Sequence, residues 1–415
     1  MLVSVFTPSH DTRFLGECYR SLRGQTWREW EWIVLLNGDA GDWSPSSGDE
    51  RVRVVRDTDS PPGLVGALKR SVCRLAEGEI LVELDHDDIL APTCLAEVAD
   101  AFARRAEATL VYSDFAQINE DGSRNDTRFN EEMGWAYSDE RIGSTTYLRC
   151  HAMAPYPHNV AYIWYAPNHV RAFRRSAYEQ VGGYDPTLTV LDDQELMIRL
   201  YLAGEFVHID RCLYLQRVHP NNTQVEPATN AFIQEQTVRY YQQHIGALVA
   251  AWARREGLEV LTLTTPTSPA IVDPDPGRVV QLDPLAPELP CEPDSVGAIK
   301  AYDLLQRVAA PVELFNRCWD ALAHGGLLLT QTPSTDGRGA FQDPSHLAYF
   351  NENSFWYVTQ AQYETSVPDL HARFMVSHIR THFPSPWHEQ TDIPYVQANL
   401  LPVKNGPRQG GPLLW

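Results

Sequence analysis

Gly78-Glu79-Ile80-Leu81-Val82-Glu83-Leu84-Asp85-His86-Asp87-Asp88 is an apolar β-type run that leads directly into a block of carboxylates. Before it, residues 2–6, 32–36 and 52–55 read as three more short apolar strands. Between these, residues 14–22 have helical spacing, with Asp11 or Thr12 as N-cap, and Ser60-Pro61-Pro62 opens a helix that runs to about Leu75. After the block come a helix at 92–104 and a strand at 109–118 that ends in the turn Asp121-Gly122. Alternation of this kind predicts an α/β fold with a mostly parallel sheet. Ligands of such sheets bind beyond the carboxyl ends of the strands, where the acidic block lies.

Alternate side chains on an extended segment point the same way, so Asp85 and Asp87 can converge on one ligand. Hard oxygen donors suit Mg²⁺ or Mn²⁺, which keep positions open for phosphate oxygens. A bare Asp-x-Asp is most often a solvated turn. Here it follows a buried strand in the fourth strand–helix unit, where a nucleotide site is expected. Asp192-Asp193 opens another helical stretch, and acidic residues suit a helix N-terminus on dipole grounds alone. The segment 125–167 is irregular and dense in aromatics and histidines, as in loops that cover a site, and 147–169 could serve as an acceptor platform or as core. Strands return near 207–209 and 213–218, and a long helix follows at about 230–255.

The chain has 415 residues, enough for two or three domains. Its 54 acidic and 34 basic residues give a net charge of −20, which argues against nucleic-acid binding. That charge suits a small phosphorylated substrate only where metal or local bases offset it. The seven cysteines are odd in number and lack any Cys-x-x-Cys, so buried thiols in a reducing, cytoplasmic setting are expected. No apolar run is long enough to span a bilayer, and residues 1–10 do not read as a signal peptide.

Several motifs together resemble glycosyltransferase family 2, of GT-A fold, over about residues 1–225: Leu2-Val-Ser-Val-Phe-Thr-Pro8, Glu31-Trp-Ile-Val-Leu35, the 78–88 segment, Val181-Gly-Gly-Tyr-Asp185, Asp192-Asp-Gln-Glu-Leu-Met-Ile-Arg199 and Arg217-Val-His219. The resemblance implies a nucleotide-sugar donor, a divalent metal (Mn²⁺ or Mg²⁺) and inversion at the sugar carbon. It implies that Thr7 and Pro8 hold the base and ribose. Asp87 would be a direct metal ligand, Asp85 a ribose, water or metal contact, and His219 a further metal ligand. Asp193 would be the catalytic base, and Arg217 with Lys69 or Arg70 would meet the diphosphate. Where the family has an Asp-Asp-Gly-Ser type sequence this chain has Leu36-Asn37-Gly38-Asp39. Asn37 can still accept a hydrogen bond from the base, and UDP is the favoured nucleotide. The acceptor stays open between glycan, lipid-linked, peptide and small-molecule classes, and a homodimer is possible.

The Pro-rich stretch 264–278 reads as a linker after a first domain at 1–263. Residues 279–385 then show strands at 279–282, 298–301 and 327–330 and a helix at 311–322. They resemble the latter half of a class I S-adenosylmethionine-dependent methyltransferase, through Leu282-Asp-Pro284, Ala301-Tyr-Asp-Leu-Leu-Gln-Arg-Val308 and Leu322-Ala-His-Gly-Gly-Leu-Leu-Leu329. The family's Gly-rich loop and early strands are not expected between Arg255 and Val279, so this part reads as a degenerate, truncated Rossmann-like domain. Residues 386–415, rich in Pro and Gly, read as a poorly packed tail, and 335–350 carries no assigned chemistry. The alternatives to a glycosyltransferase are a bifunctional glycosyltransferase/methyltransferase and a non-catalytic sugar-nucleotide-binding scaffold.

Overall fold

The computed structural model describes residues 1–404 except 46, 47, 59, 61, 62, 221, 223–225, 271, 272 and 364. The expected helix opening at Pro61-Pro62 and the last eleven residues of the tail therefore lie outside the described residues. The chain divides into two compact units, Met1–Pro155 with Asn159–His244 and Tyr156–His158 with Ile245–Trp415.

The first unit is an α/β domain of the expected GT-A type. Its strands are β1 (Val3–Ser9), β2 (Trp30–Leu36), β3 (Val52–Arg56), β4 (Ile80–Glu83), β5 (Ile89–Leu90), β6 (Ala108–Ile118), β7 (Tyr137–Ile142), β8 (Thr145–Cys150), β9 (Arg171–Arg174) and β10 (Glu205–Arg217). The sheet runs β3-β2-β1-β4-β9-β6-β10-β5, with the β7–β8 hairpin joined to β6. β1 pairs in parallel with both β2 and β4, and residues 3–7 are buried throughout, as a central strand covered on both faces requires. The helices up to residue 255 are α1 (Leu15–Arg23), α2 (Val65–Leu75), α3 (Cys94–Arg104), α4 (Pro157–Val160), α5 (Arg175–Gln180), α6 (Asp192–Ala203) and α7 (Pro227–Arg255), of which α4 only from Asn159 and α7 only up to His244 belong to this unit. α1 buries Leu15, Cys18, Tyr19 and Leu22, one stripe at helical spacing. It starts from Phe14 with no side-chain cap, so neither Asp11 nor Thr12 caps it.

Sequence and structure part company after residue 125. The stretch expected to be irregular forms the β7–β8 hairpin. β9, not expected at all, is antiparallel to both β4 and β6 and lies between them. Four residues, Arg-Ala-Phe-Arg, are too short and too charged to register as a central strand. The two strands expected at 207–218 are one, β10, with register shifts between Ile209 and Cys212 and between Cys212 and Tyr214. Such bulges explain the break in the apolar pattern.

The second unit holds β11 (Glu259–Thr264), β12 (Arg278–Gln281), β13 (Val296–Tyr302), β14 (Leu322–Pro333), β15 (Phe374–His382), β16 (Tyr395–Pro402) and α8 (Pro311–Ala321). Its sheet order is β12-β11-β13-β14-β16-β15. Two expectations are corrected here. A strand does precede Val279: β11 pairs in parallel with β12 and β13, because Leu261 and Leu263 supply a buried alternating face. The segment taken as a linker is therefore a crossover within the second unit, and Lys300 of β13 donates to Asp273 Oδ2 at 2.6 Å and to the Asp275 carbonyl at 2.5 Å. The tail is also not loose up to residue 404: β16 pairs with β14 and β15 and buries Val396, Ala398 and Leu400 completely.

α2 lies tight against the loop before α6. A Cβ on Gly66 would stand 1.9 Å from the Asp185 carbonyl oxygen, while the Gly66 N–H donates to the Leu188 carbonyl at 3.1 Å. Gly66→Ala is expected to lower stability by about 1–3 kcal/mol, the scale of overpacking, as read by urea unfolding. An unchanged midpoint would mean that the loop yields freely.

Candidate functional site

The carboxyl ends of β1, β2, β4 and β10 and the start of β9 share one edge of the sheet, which follows from their pairing. The acidic turn emerges there. Asp88 is buried, and its Oδ1 accepts the Arg217 backbone N–H at 2.6 Å. Asp87 Oδ2 lies 2.8 Å from His219 Nε2, so two residues 132 apart in sequence are joined by a hydrogen bond. The Asp85 N–H donates to the Tyr214 hydroxyl at 3.1 Å, and its Oδ2 lies 3.6 Å from His169 Nε2. His169 stacks on Tyr214 with ring centroids 4.3 Å apart. Burial, and after it the charges of Glu83 and Asp87, push the Asp85 carboxyl up to about 7. Burial and the neighbours Asp87 and Asp85 push Asp88 up as well. Burial, helped by the Arg171 charge, holds His169 well below its ordinary value and therefore neutral. Crowded carboxylates beside a neutral imidazole suit a divalent cation, and Asp85, Asp88 and His169 offer ligand atoms all within 4.8 Å of one another.

Beneath the turn runs a chain of buried charges. Glu83, the last residue of β4, has no solvent exposure. Lys69 of α2 reaches Glu83 Oε1 at 2.6 Å and Asp192 Oδ2 at 2.8 Å. Arg171 of β9 donates from Nε to Glu83 Oε2 at 2.8 Å and from Nη1 to Asp193 Oδ2 at 2.5 Å. Asp193 Oδ1 accepts the N–H of Gln194 at 2.8 Å. Burial alone would push the Lys69 amine down and the Glu83 carboxyl up. Instead the paired charges win: Asp192 and Glu83 raise Lys69, while Arg171 and Lys69 lower Glu83.

Several side chains expected at a donor are placed otherwise. The Thr7 hydroxyl is buried, donating to the Leu84 carbonyl at 2.7 Å and accepting from Trp32 Nε1 at 2.9 Å, so it ties strands together. Lys69 is committed to Glu83 and Asp192, and Arg70 donates to the Tyr184 carbonyl at 2.8 Å. Arg217 has no exposure: Nε donates to the Asp87 carbonyl at 2.7 Å, Nη1 to the Glu120 carbonyl at 2.6 Å and Nη2 to Glu17 at 2.8 Å. It braces the acidic turn through the Asp87 carbonyl and, by its backbone N–H, through Asp88. Pro8 and Asn37 are half-buried at the ends of β1 and β2, where the Asn37 N–H donates to the Ser9 carbonyl at 2.9 Å. Three participants escaped sequence reading: Glu83, Arg171 and His169. Glu83 did leave a signal, since a carboxylate inside an apolar strand demands a cationic partner.

Residues 4–182 match the family model described as Glycosyl transferase family 2. Those residues form a family 2 glycosyltransferase domain. Among curated relatives, the O-antigen biosynthesis protein RfbC of Myxococcus xanthus is 28% identical over 225 residues, 52% of this chain and 16% of that protein. A chondroitin synthase of Escherichia coli is 22% identical over 231 residues, 54% of this chain and 30% of the other. The chain thus spans less than a third of the length of these relatives. Among solved structures, TarS 1–349 of S. aureus in complex with UDP-GlcNAc aligns at a TM-score of 0.42 and 13% identity, covering 61% of this chain and 72% of that one. The mannosyltransferase PcManGT of Pyrobaculum calidifontis, in complex with GDP-Man and Mn²⁺, aligns at 0.41 and 14%, covering 60% and 73%.

Within the transferase domain, the two roles open to Lys69 are separable. Lys69→Met leaves Asp192 buried without its cation and is expected to cost about 3–5 kcal/mol in urea unfolding. A lysine that served the diphosphate would instead lower donor affinity and leave the unfolding midpoint in place.

Proposed function

We propose that the protein is a metal-dependent, inverting glycosyltransferase that moves a sugar from a nucleotide diphosphate, UDP-sugar first among candidates, to an acceptor hydroxyl. The observation that carries this reading is the Arg171 bridge. One guanidinium joins Glu83, two residues before Asp85, to Asp193. The acidic turn and the proposed base are thereby fixed relative to each other, as in-line displacement demands.

Asp193 would take the proton of the acceptor hydroxyl as its oxygen bonds to the sugar carbon and the bond from that carbon to the diphosphate oxygen breaks. Arg171 holds one Asp193 oxygen and leaves lone pairs on the other beside the Gln194 N–H. A single carboxylate base without a nucleophilic partner gives inversion. A divalent metal at the acidic turn, held from among Asp85, Asp87, Asp88, His169 and His219, supplies counter-charge to the leaving diphosphate. Lys69 and Arg217 support that need, since both are spent on the protein's own groups. Asn37, at the end of β2, is the proposed reader of the base. Hydrolysis of a panel of sugar nucleotides with and without Mn²⁺ would identify the donor before any acceptor is known.

Asp193→Asn keeps a partner for Arg171 and removes the basic oxygen. It is expected to slow transfer by at least ~10²-fold with donor affinity nearly unchanged, measured by initial rates beside calorimetry of donor binding. Normal turnover would reduce Asp193 to a first-turn helix residue.

The second unit is proposed as a structural or acceptor-positioning part rather than a methyltransferase. In support, the crossover between β11 and β12 contains no helix among its described residues, and Asp273 on that crossover pairs with Lys300 of β13. Calorimetry with S-adenosylmethionine is expected to show no binding up to ~100 µM, an order-of-magnitude ceiling for a specific cofactor site. A micromolar Kd would restore the bifunctional enzyme.

A further inference from the structure

The edge strand of the second sheet carries a group of bases that no carboxylate answers among the described residues. Phe374 and Val376 of β15 face the apolar core of that unit, and so does Ile379. The change of parity comes from an extra residue at 377: Val376 pairs with Leu400, and His378 pairs with Asn399. His378, Arg380 and His382 are thereby turned to the other face, beside their cross-strand partners Asn399, Gln397 and Tyr395. His388, on the short helix Pro386–Gln390, joins the group with its ring 5.4 Å from that of Tyr395. Arg380 is half-buried, and its Nε is covered and has no hydrogen-bond partner. Nor has Nδ1 of His382. Burial works against the Arg380 charge, and no carboxylate among the described residues works for it. Burial and the Arg380 charge push both His378 and His382 down to about 4, so the two rings are neutral near pH 7. The Asp303 carboxyl, which meets the Tyr395 hydroxyl, is flanked by Arg307 and His346 instead. Lys69, Arg171, Arg217 and Lys300 are also withdrawn from water, but each has a carboxylate oxygen at 2.8 Å or closer. Arg380 bears the cost of burial without that return.

We propose that Arg380, with the histidines beside it on β15, is the centre of a binding site for a singly charged oxyanion, a carboxylate or a phosphodiester. A guanidinium meets two oxygens of such a group at once. The His382 ring and the Gln397 amide can add N–H donors without adding charge, so one positive charge faces one negative charge. A phosphate monoester carries about −1.5 to −2 at pH 7 and would leave charge uncompensated. All of these residues belong to the second unit, and the inference does not depend on the transferase reading.

The test uses the full chain and two small probes. Methyl β-D-glucuronide stands for a sugar carboxylate and dimethyl phosphate for a phosphodiester, with methyl β-D-glucoside as the uncharged control. Saturation-transfer NMR titration gives the affinity, and thermal unfolding reads the effect on the folded state. At least one anion is expected to bind with a Kd of ~1 mM or below, the scale of a few charge-assisted contacts, and the tighter of the two identifies the source. The glucoside is expected to bind at least ~10-fold more weakly, since it lacks the charge. In Arg380→Gln, affinity for the anion is expected to fall at least ~10-fold. Without probe, that variant is expected to unfold at the wild-type temperature or higher, because an uncompensated charge has been removed. An arginine that only supports the fold would lower the midpoint, so a variant that unfolds earlier or fails to fold overturns the proposal. Three further results overturn it: neither anion saturating by ~10 mM, the glucoside binding as tightly, or anion binding that survives in Arg380→Gln.

Discussion

Glu83 is a carboxylate at the end of a strand where every side chain is buried, and the site is built around that fact. A lone ion there would cost many kcal/mol and would protonate instead. Its charge is kept by Lys69 from α2 and Arg171 from β9. Both cations are themselves buried, so each needs a second anion, and the first turn of α6 supplies Asp192 and Asp193. Two strands and two helices are thus placed by one electrostatic requirement. An apolar cluster of similar volume could hold these elements as tightly, but it would not fix a carboxylate oxygen of Asp193 at a defined distance from the acidic turn. Geometry rather than stability is what a buried ion network of this kind can provide.

The turn itself is held by Arg217. Its guanidinium binds the carbonyls of Asp87 and Glu120 and the carboxylate of Glu17, and its face covers the Phe14 ring at 4.4 Å. Its backbone N–H fixes Asp88. β10 therefore does more than extend the sheet: it carries Tyr214, Arg217 and, just beyond its end, the approach to His219. All three touch the acidic turn or the ring that faces it.

The first half of the fold was legible because its strands are apolar and its helices periodic. β1 to β4, α1 and α3 fall within a few residues of their expected limits. What escaped had weaker physics in one dimension. β9 is four residues with arginine at both ends, and those arginines make sense only beside Glu83 and the carbonyls they reach. β11 sits between a helix end and a run of prolines that dominates the local reading. β15 and β16 lie in a stretch whose Pro and Gly content masked an antiparallel pair closing the second sheet. Spacing and resemblance named Asp85, Asp87, Asp193 and His219, and the fold brings Asp87 to His219 and joins Asp193 to Glu83 through Arg171. The side chains expected at the diphosphate, Lys69, Arg70 and Arg217, are engaged by the protein's own groups. A basic residue near an acidic turn satisfies two descriptions, counter-ion to substrate or counter-ion to protein, and only burial separates them.

That distinction bears on how a chain of net charge −20 could accept a diphosphate. The turn brings Asp85, Asp87 and Asp88 together, and the nearest guanidinium already answers Glu17 and backbone carbonyls. Burial and mutual repulsion raise the Asp85 and Asp88 carboxyls above their ordinary range. A divalent cation would offset that crowded negative charge and reverse the local sign, turning a surface that repels phosphate into one that attracts it. Spending both buried cations on structure and leaving substrate charge to an exchangeable ion would make donor binding conditional on metal, while the protein stays neutralised and folded without it.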